Sequence, residues 1–443
     1  MTDSYDFIVV GGGPVGETAA EYAIKNSDLS AAIVESHLLG GACSYYACTP
    51  SKALLRPLDI AETSANLGGL SPAAVHADGL LARRDEFVNN YDDSGQVEWA
   101  EGVGIDVIRG VGAVGPDRTV RVGDRTLTAR RAVVVATGSS PSIPEPLQGL
   151  HPWTSRDATG LVEVPPRLAI IGGGPVACEA ARWLAGLGAR VTLLARSTLL
   201  GRAEPFCGEL VAEGLREAGV DVRLGTELTS AERPGAQPTG LGRVHGGPVW
   251  LQVGNDEFEV DEVLAATGRN PNLAGIQLDP QPDWLHLVGD VSGEAPLTHW
   301  GKYRARQLGF KLRAEALGQP APHQSGDVPI PQVVFTSPQV ASTGYTLAQA
   351  RKKWPNARAI DADLTSAAGA GLLRDDAAGQ ARLVVDQDEV LRGATFVGPE
   401  VAELVHAATV AIVASMQLDQ LWHVVPSFPT SSEIWLRLLE ADN

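Results

Sequence analysis

The chain has 443 residues, 44% of them hydrophobic, and 53 acidic against 35 basic side chains give it a formal net charge of −18. So acidic a surface repels nucleic acid and anionic membrane, and no basic patch offsets it, so neither is expected as a partner. The length is too great for a single core and predicts two to four domains.

From the N-terminus, a few polar residues run directly into the apolar strand Phe7-Ile8-Val9-Val10. There is no charged leader, cleavage site or bilayer-length apolar segment, and a cytoplasmic protein is expected. The strand meets Gly11-Gly12-Gly13-Pro14-Val15-Gly16 and a helical stretch from Glu17 to Ala23, a G-x-G-x-x-G turn in strand-to-helix context. Gly11 permits the tight turn, Gly13 lets a pyrophosphate approach the backbone, and Gly16 lets helix and strand pack closely. A second strand, Ala31-Ala32-Ile33-Val34, ends in Glu35, placed where an acid accepts hydrogen bonds from a ribose.

The run Gly40-Gly41-Ala42-Cys43-Ser44-Tyr45-Tyr46-Ala47-Cys48-Thr49-Pro50-Ser51-Lys52 follows. The chain has only 4 cysteines, and a tight pair in an intracellular enzyme is more often redox-active than structural. The layout is that of a dithiol wired to a flavin. Taken as helix, the spacing sets the sulfurs about a turn and a half apart, one for the ring and one for a substrate.

The nucleotide-binding device recurs: the strand Arg167 to Ile171, the turn Gly172-Gly173-Gly174-Pro175-Val176-Ala177, and a helix from Cys178 to Leu187. Two dinucleotide folds imply two dinucleotides and a route between redox cofactors. Val133 to Gly138 and Val263 to Gly268 both end in Ala-Thr-Gly and read as crossings between domains. Leu285-His286-Leu287-Val288-Gly289-Asp290 is another strand ending in an acid. The tail, with Gln332 to Phe335 and a helical pattern from Glu400 to Ala414, reads as a separate α+β domain. Pro234 to Pro248 and Gln319 to Pro329 read as loops. Cys178 and Cys207 read as packing residues, and His406, which fits the apolar-periodic helix around Val405 and Val410, reads as structural.

These motifs, in this order, resemble the class I pyridine nucleotide-disulfide oxidoreductases, the family of glutathione reductase, dihydrolipoamide dehydrogenase and mercuric reductase. The resemblance rests on the first glycine turn, the C-x4-C-x-P-S-K block, Ala136-Thr137-Gly138, the second turn with Glu179, Ala266-Thr267-Gly268-Arg269, Gly289-Asp290, and the terminal Pro429-Thr430-Ser431-Ser432-Glu433. It implies an α/β fold with two Rossmann-like domains, for FAD and NAD(P), plus a C-terminal α+β dimerisation domain. The corresponding boundaries are 1–148 and 266–326 for FAD, 149–265 for NADPH, and 327–443 for the interface. It further implies a homodimer whose active site is shared between subunits, in which NAD(P)H reduces the flavin, the flavin a disulfide, and the dithiol a small-molecule substrate. By the resemblance Cys43 is the interchange thiol and Cys48 the thiol facing flavin, Lys52 lies near flavin N5 and pairs with Glu179, and Asp290 and Thr298 line the flavin. Gly11, Gly13, Gly16, Glu35, Thr137 and Gly138 complete the FAD set. Gly172, Gly174, Ala177, Glu179, Gly268 and Arg269 belong to the nicotinamide cofactor. No metal is expected.

After the strand Arg190 to Ala195, the position where an NAD-selective site carries an acid holds Arg196, with Arg202 six residues on. Guanidinium groups clamp a 2′-phosphate that an acid would repel, so NADPH is the expected donor.

The chain departs from the family near its C-terminus, where Phe428 stands in place of the acid/base histidine and Glu433 remains. A phenyl ring cannot move a proton, and positioned acid/base groups contribute about 10²- to 10⁴-fold. His423, Tyr45 and Tyr46 are the replacements considered, the tyrosines more as pocket walls because an unperturbed phenol titrates near about pH 10. Pro175 occupies a position where many relatives carry an aromatic gate, and the segment between Asn272 and Trp284 is shorter than in most. The phenylalanine also resembles 2-ketopropyl coenzyme M oxidoreductase/carboxylase, whose cysteine neighbourhood differs. No cysteine follows Cys207, which disfavours mercuric reductase and large thioredoxin reductases, both of which need C-terminal redox residues. The leading expectation is an NADPH- and FAD-dependent oxidoreductase acting through Cys43 and Cys48 on a small disulfide or other electrophile. The alternatives are a quinone reductase (diaphorase) that bypasses the thiols and a non-catalytic flavoprotein.

Overall fold

The computed structural model describes residues 3–276, 280–321 and 328–442. The chain divides into two units, with changeovers at Ser51/Lys52, Leu81/Ala82, Ser142/Ile143 and Thr267/Gly268. The expected boundary at 326/327 lies outside the described residues, as do parts of the Asn272–Trp284 and Gln319–Pro329 segments.

In the first unit, β1 (Ser4–Val10) lies between β2 (Ala31–Glu35) and the strand Arg125–Val135, parallel to both. Ile105–Arg109 extends the sheet parallel to β2, and Leu285–Leu287 pairs in parallel with Arg125–Val135. Alternation of side chains across the pleat sends Phe7, Val9, Ile33 and Val134 to one face and Ile8, Val10, Val34 and Val133 to the other, and both sets are buried. Such continuous apolar strands belong to a sheet covered on both sides. Helix α1 (Pro14–Ile24) packs on the first face beside the helix Thr298–Ala316, where Gly309 admits Tyr22 and the Tyr22 and Phe310 rings meet edge to face at 4.9 Å.

The second unit repeats the device. Its parallel sheet runs Asp221–Leu224, Arg190–Ala195, Arg167–Ile171, Glu262–Ala265. A five-stranded antiparallel sheet, from Gln332–Val334 through Gln339–Gly344, Leu391–Gly398 and Gln380–Val385 to Arg358–Asp363, packs against the helices Leu404–Val413 and Ile434–Ala441. The fold is therefore α/β with two Rossmann-like sheets and a C-terminal α+β part. Although Lys52–Leu81 falls inside the 1–148 stretch, Leu54, Leu55 and Leu58 pack in one core with Trp153, Trp183 and Leu184 of this unit.

His406 is not a core residue. The buried face of its helix is Leu404, Val405, Ala408 and Ala411, and His406 points outward with Ala407 and Val410. Its helix is apolar on more than one side, so periodicity alone did not separate the buried stripe from the solvent-facing one. No helix among the described residues is long and apolar enough to cross a membrane.

Candidate active site

The two glycine turns are built alike. Gly11 has φ +105°, and a Cβ there would lie 2.4 Å from the carbonyl oxygen of Ala136; Gly172 has φ +141°, and its Cβ would lie 2.3 Å from that of Ala266. The repeated Ala-Thr-Gly thus has a local role beyond marking a crossing: its alanine carbonyl backs the first glycine of the turn. Ala136 and Ala266 are tied there by hydrogen bonds that their amides donate to the carbonyls of Val10 (2.8 Å) and Ile171 (2.9 Å). Gly16 packs against the Gly11 carbonyl, where a Cβ would come within 1.9 Å, and Ala177 is the fully buried counterpart in the second turn.

Both turns fit a dinucleotide phosphate. Gly13 and Gly174 cap their helices with no side chain bonded to the exposed amides. A Cβ on Gly13 would meet only the Gly41 Cα, at 3.9 Å, and one on Gly174 would meet nothing within 4 Å. Open backbone donors at a helix N-terminus are an anion cradle. Glu35 is fixed by the amides of Gly12 (2.7 Å) and His37 (2.6 Å), with lone pairs left for a ribose hydroxyl.

The cysteine block is not one helix. It forms α2 (Gly41–Tyr46) and α3 (Cys48–Ala65), broken at Ala47 with φ −144° and ψ −95°. A continuous helix would carry the sulfurs a turn and a half apart; the break instead brings Cys43 and Cys48 into hydrogen-bond contact. Both are thiols in the structure. Thr298 Oγ1, on the first residue of its helix, donates to the Cys43 sulfur at 3.2 Å and lies 3.4 Å from that of Cys48. The neighbouring Cys48 sulfur, then burial, push the Cys43 thiol well above the ordinary thiol range, and the Thr298 hydroxyl opposes the shift. Gly41 lets α2 seat on the first turn, since a Cβ would sit 2.7 Å from the Gly13 Cα.

The tyrosines between the cysteines are both buried. Tyr45 donates to Gln96 at 3.0 Å, and burial, aided by Asp93 and Glu17, pushes its phenol up to about 12. Tyr46 is buried, bonded to the His37 ring at 3.0 Å and stacked on Tyr91. Asp290 accepts from Ser139 at 2.6 Å, and Ser139 in turn receives Arg269 at 2.7 Å. Burial lowers the Arg269 pKa while Asp290 opposes the shift. Thr137 and Gly138 are tied to Asn272, whose backbone oxygen accepts from Thr137 Oγ1 at 2.7 Å and whose amide donates to Gly138 at 3.0 Å. Ser139 and Asn272 escaped the sequence reading; each adjoins a motif, but neither has a distinctive residue type.

In the second unit, Lys52 Nζ pairs with Glu179 at 2.7 Å and lies 4.5 Å from the centre of the Phe335 ring. The other Glu179 oxygen accepts from the Phe335 amide at 2.9 Å. Arg196 is exposed and reaches Glu227 at 3.7 Å; Arg202 and Gly268 are also exposed. Glu433 is buried, accepting from the Ala368 amide at 3.1 Å and pairing with Arg437. Phe428 and His423 are exposed. Cys178 and Cys207 are buried, and burial pushes both thiols up to about 12.

Residues 5–281 match the pyridine nucleotide-disulphide oxidoreductase family, and residues 330–438 match the dimerisation domain of that family. The chain belongs to this family. The pyridine nucleotide-disulphide oxidoreductases use FAD and a nicotinamide cofactor. Glutathione reductase of Burkholderia cepacia is 30% identical, covering 98% of each chain. Mercuric reductase of Staphylococcus aureus is 29% identical over 97% of this chain and 81% of its own length. Among solved structures, the Cu(II) complex of the HOCl-induced flavoprotein disulfide reductase RclA from Escherichia coli superimposes with a TM-score of 0.83 over 100% of both chains at 21% identity, a likeness of fold.

Proposed function

We propose that the protein takes electrons from NADPH and passes them through FAD to Cys43 and Cys48, which reduce a small disulfide or another electrophile. The observation that carries this reading is the thiol pair held in contact at the head of α3 with the Thr298 hydroxyl on both sulfurs. When bound, FAD supplies a two-electron relay between nicotinamide and sulfur. Gly11 to Gly16, Glu35, Thr137, Gly138, Asp290 and Thr298 are the residues that would hold it, and the second turn with Arg196 and Arg202 would take NADPH.

The sulfur chemistry follows from the pair. The Cys43 thiolate attacks a substrate disulfide, forming a mixed disulfide and releasing one thiol. Cys48 then attacks the Cys43 sulfur, releasing the second thiol and leaving the Cys43–Cys48 disulfide, so two electrons and two protons pass to substrate. Lowering the Cys43 pKa is the limiting demand, since burial and its neighbour raise it. The Thr298 hydroxyl assists by donating to the sulfur, and Phe428 contributes no proton. Glu433 is already bonded to Ala368 and Arg437, so it keeps a structural task without a histidine to orient.

Supporting a homodimer, the matched dimerisation domain exposes large apolar side chains, Val425 at 85% and Phe428 at 76% among them. A second copy would cover such side chains and bring the terminal segment to a shared active site. With only 4 cysteines, the chain suits the reducing cytoplasm. The test is alkylation of the NADPH-reduced protein. Disulfide reduction should be abolished while quinone reduction survives; loss of neither would sink the thiol route in favour of a diaphorase.

A further inference from the structure

Glu17 is the acidic residue in the first turn of α1, one turn past Gly13, to whose carbonyl its amide is bonded at 3.0 Å. Helical side chains lean toward the N-terminus, so this carboxyl leans toward the end of α1 that presents open amides. An acid there is ordinarily stabilised in its charged form by the helix dipole. Here the opposite holds: burial pushes the carboxyl up to about 7, Lys302 pulls it down, and Glu35 adds to the rise. Its Oε1 is buried with no hydrogen-bond partner among the described residues. The charged and titratable groups facing it are Lys302 from the helix Thr298–Ala316, Glu35 from β2 and Tyr45 from α2. Lys302 is exposed and makes no ion pair with Glu17 among the described residues.

Two demands therefore meet at one helix end. The FAD pyrophosphate, doubly negative across the neutral range, needs the open amides of the first turn. A carboxylate at Glu17, in the first turn of the same helix, repels that anion; a carboxylic acid does not and offers a donor.

We propose that Glu17 makes flavin-dinucleotide binding proton-linked, the acid form admitting the pyrophosphate and the carboxylate form opposing it. This deepens the flavin reading and rests on it. Binding then takes up a proton wherever Glu17 is ionised beforehand, and affinity falls as pH rises through the neutral range.

The experiment is FAD binding to the deflavinated full-length protein, read by quenching of flavin fluorescence from about pH 6 to about pH 8.5, for wild type and Glu17→Gln. Calorimetry in two buffers of different ionisation enthalpy adds a direct count of protons taken up. For the wild type, Kd should rise roughly tenfold or more across the range, the consequence of one linked proton, with uptake approaching one proton at the alkaline end. Glu17→Gln, neutral and of the same shape, should bind with a nearly flat Kd and little or no proton uptake. A wild-type Kd that does not change with pH, or an equal slope in both proteins, would overturn the inference alone. Failure of FAD to bind either protein at every pH would overturn the flavin reading and this inference with it.

Discussion

Thr298 and Cys43 are joined by a 3.2 Å hydrogen bond in which the hydroxyl donates to the sulfur, tying the head of one long helix to α2. A donor of this kind favours the thiolate over the thiol, and hydrogen bonds to charged groups are worth about 1.5–3 kcal/mol. Thr298→Val, close in shape, should therefore raise the Cys43 pKa and slow thiol-dependent disulfide reduction roughly 10- to 100-fold, since 1.36 kcal/mol is one pKa unit. Thr298→Ser should restore most of the rate. Equal rates in Thr298→Val and wild type would remove the hydroxyl from the chemistry.

Because the Cys48 sulfur and burial raise the Cys43 pKa, the reactive thiolate is scarce at neutral pH and grows as pH rises. Alkylation of Cys43 by iodoacetamide in the reduced protein should accelerate close to tenfold per pH unit from about pH 7 to about pH 9, with no plateau. A plateau near neutrality would show a thiolate already formed. For stability the sign is the same at Cys178 and Cys207. Their folded thiols are pushed up to about 12 from 9.0, so their contribution is complete below about pH 9 and is lost as pH climbs toward 12. The urea midpoint should fall over that alkaline window.

Much of this fold is legible in the chain because the two glycine turns combine residue type, spacing and a strand before a helix, and each reports a backbone demand that only glycine meets. The break at Ala47 had one signal in the sequence: Pro50, which has no amide hydrogen, suits the first turn of a helix starting at Cys48 and not the interior of one running on from α2. Glu17 was quoted only as a helical residue, since its unusual state depends on burial against β2, α2 and a helix almost 300 residues later. Ser139 illustrates the same limit: its link between Asp290 and Arg269 exists only once the sheet has formed. Phe428 is the opposite case, visible at once because it replaces a residue of known type in an otherwise intact motif.

Removing Lys52 leaves the buried Glu179 carboxylate with the Phe335 amide alone among the described residues. Lys52 is 37% exposed on its side chain, and solvent screening trims the Coulomb share, so Lys52→Met should cost about 1–2 kcal/mol in urea unfolding. Glu179→Gln should cost less because Lys52 can turn to water. A reversed order would mean that the lysine, not the glutamate, is the buried member that needs satisfying.

Arg196 stands exposed with Glu227 at 3.7 Å, and under the NADPH reading it would meet the 2′-phosphate. Replacing it in Arg196→Asp should raise KM for NADPH by roughly 10- to 100-fold, the loss of a charge-assisted contact plus an added repulsion. KM for NADH should stay the same or fall. Equal change for both nucleotides would assign Arg196 to the solvated surface.

Phe428→His restores an acid/base group at the position the family motif assigns to it. If conventional disulfides are substrates limited by proton transfer, their turnover should rise by about 10²-fold or more, while quinone reduction stays constant. An unchanged disulfide rate would show that proton delivery is not what limits the thiol pair.

The most direct measurement is mass spectrometry of the alkylated protein, quenched and denatured before and after anaerobic addition of NADPH to air-oxidised enzyme. Passage of electrons into the sulfur pair predicts that Cys43 and Cys48 resist labelling beforehand and each carry one alkyl group afterwards, with Cys178 and Cys207 labelled in both samples. Identical labelling of Cys43 and Cys48 with and without NADPH would contradict the account.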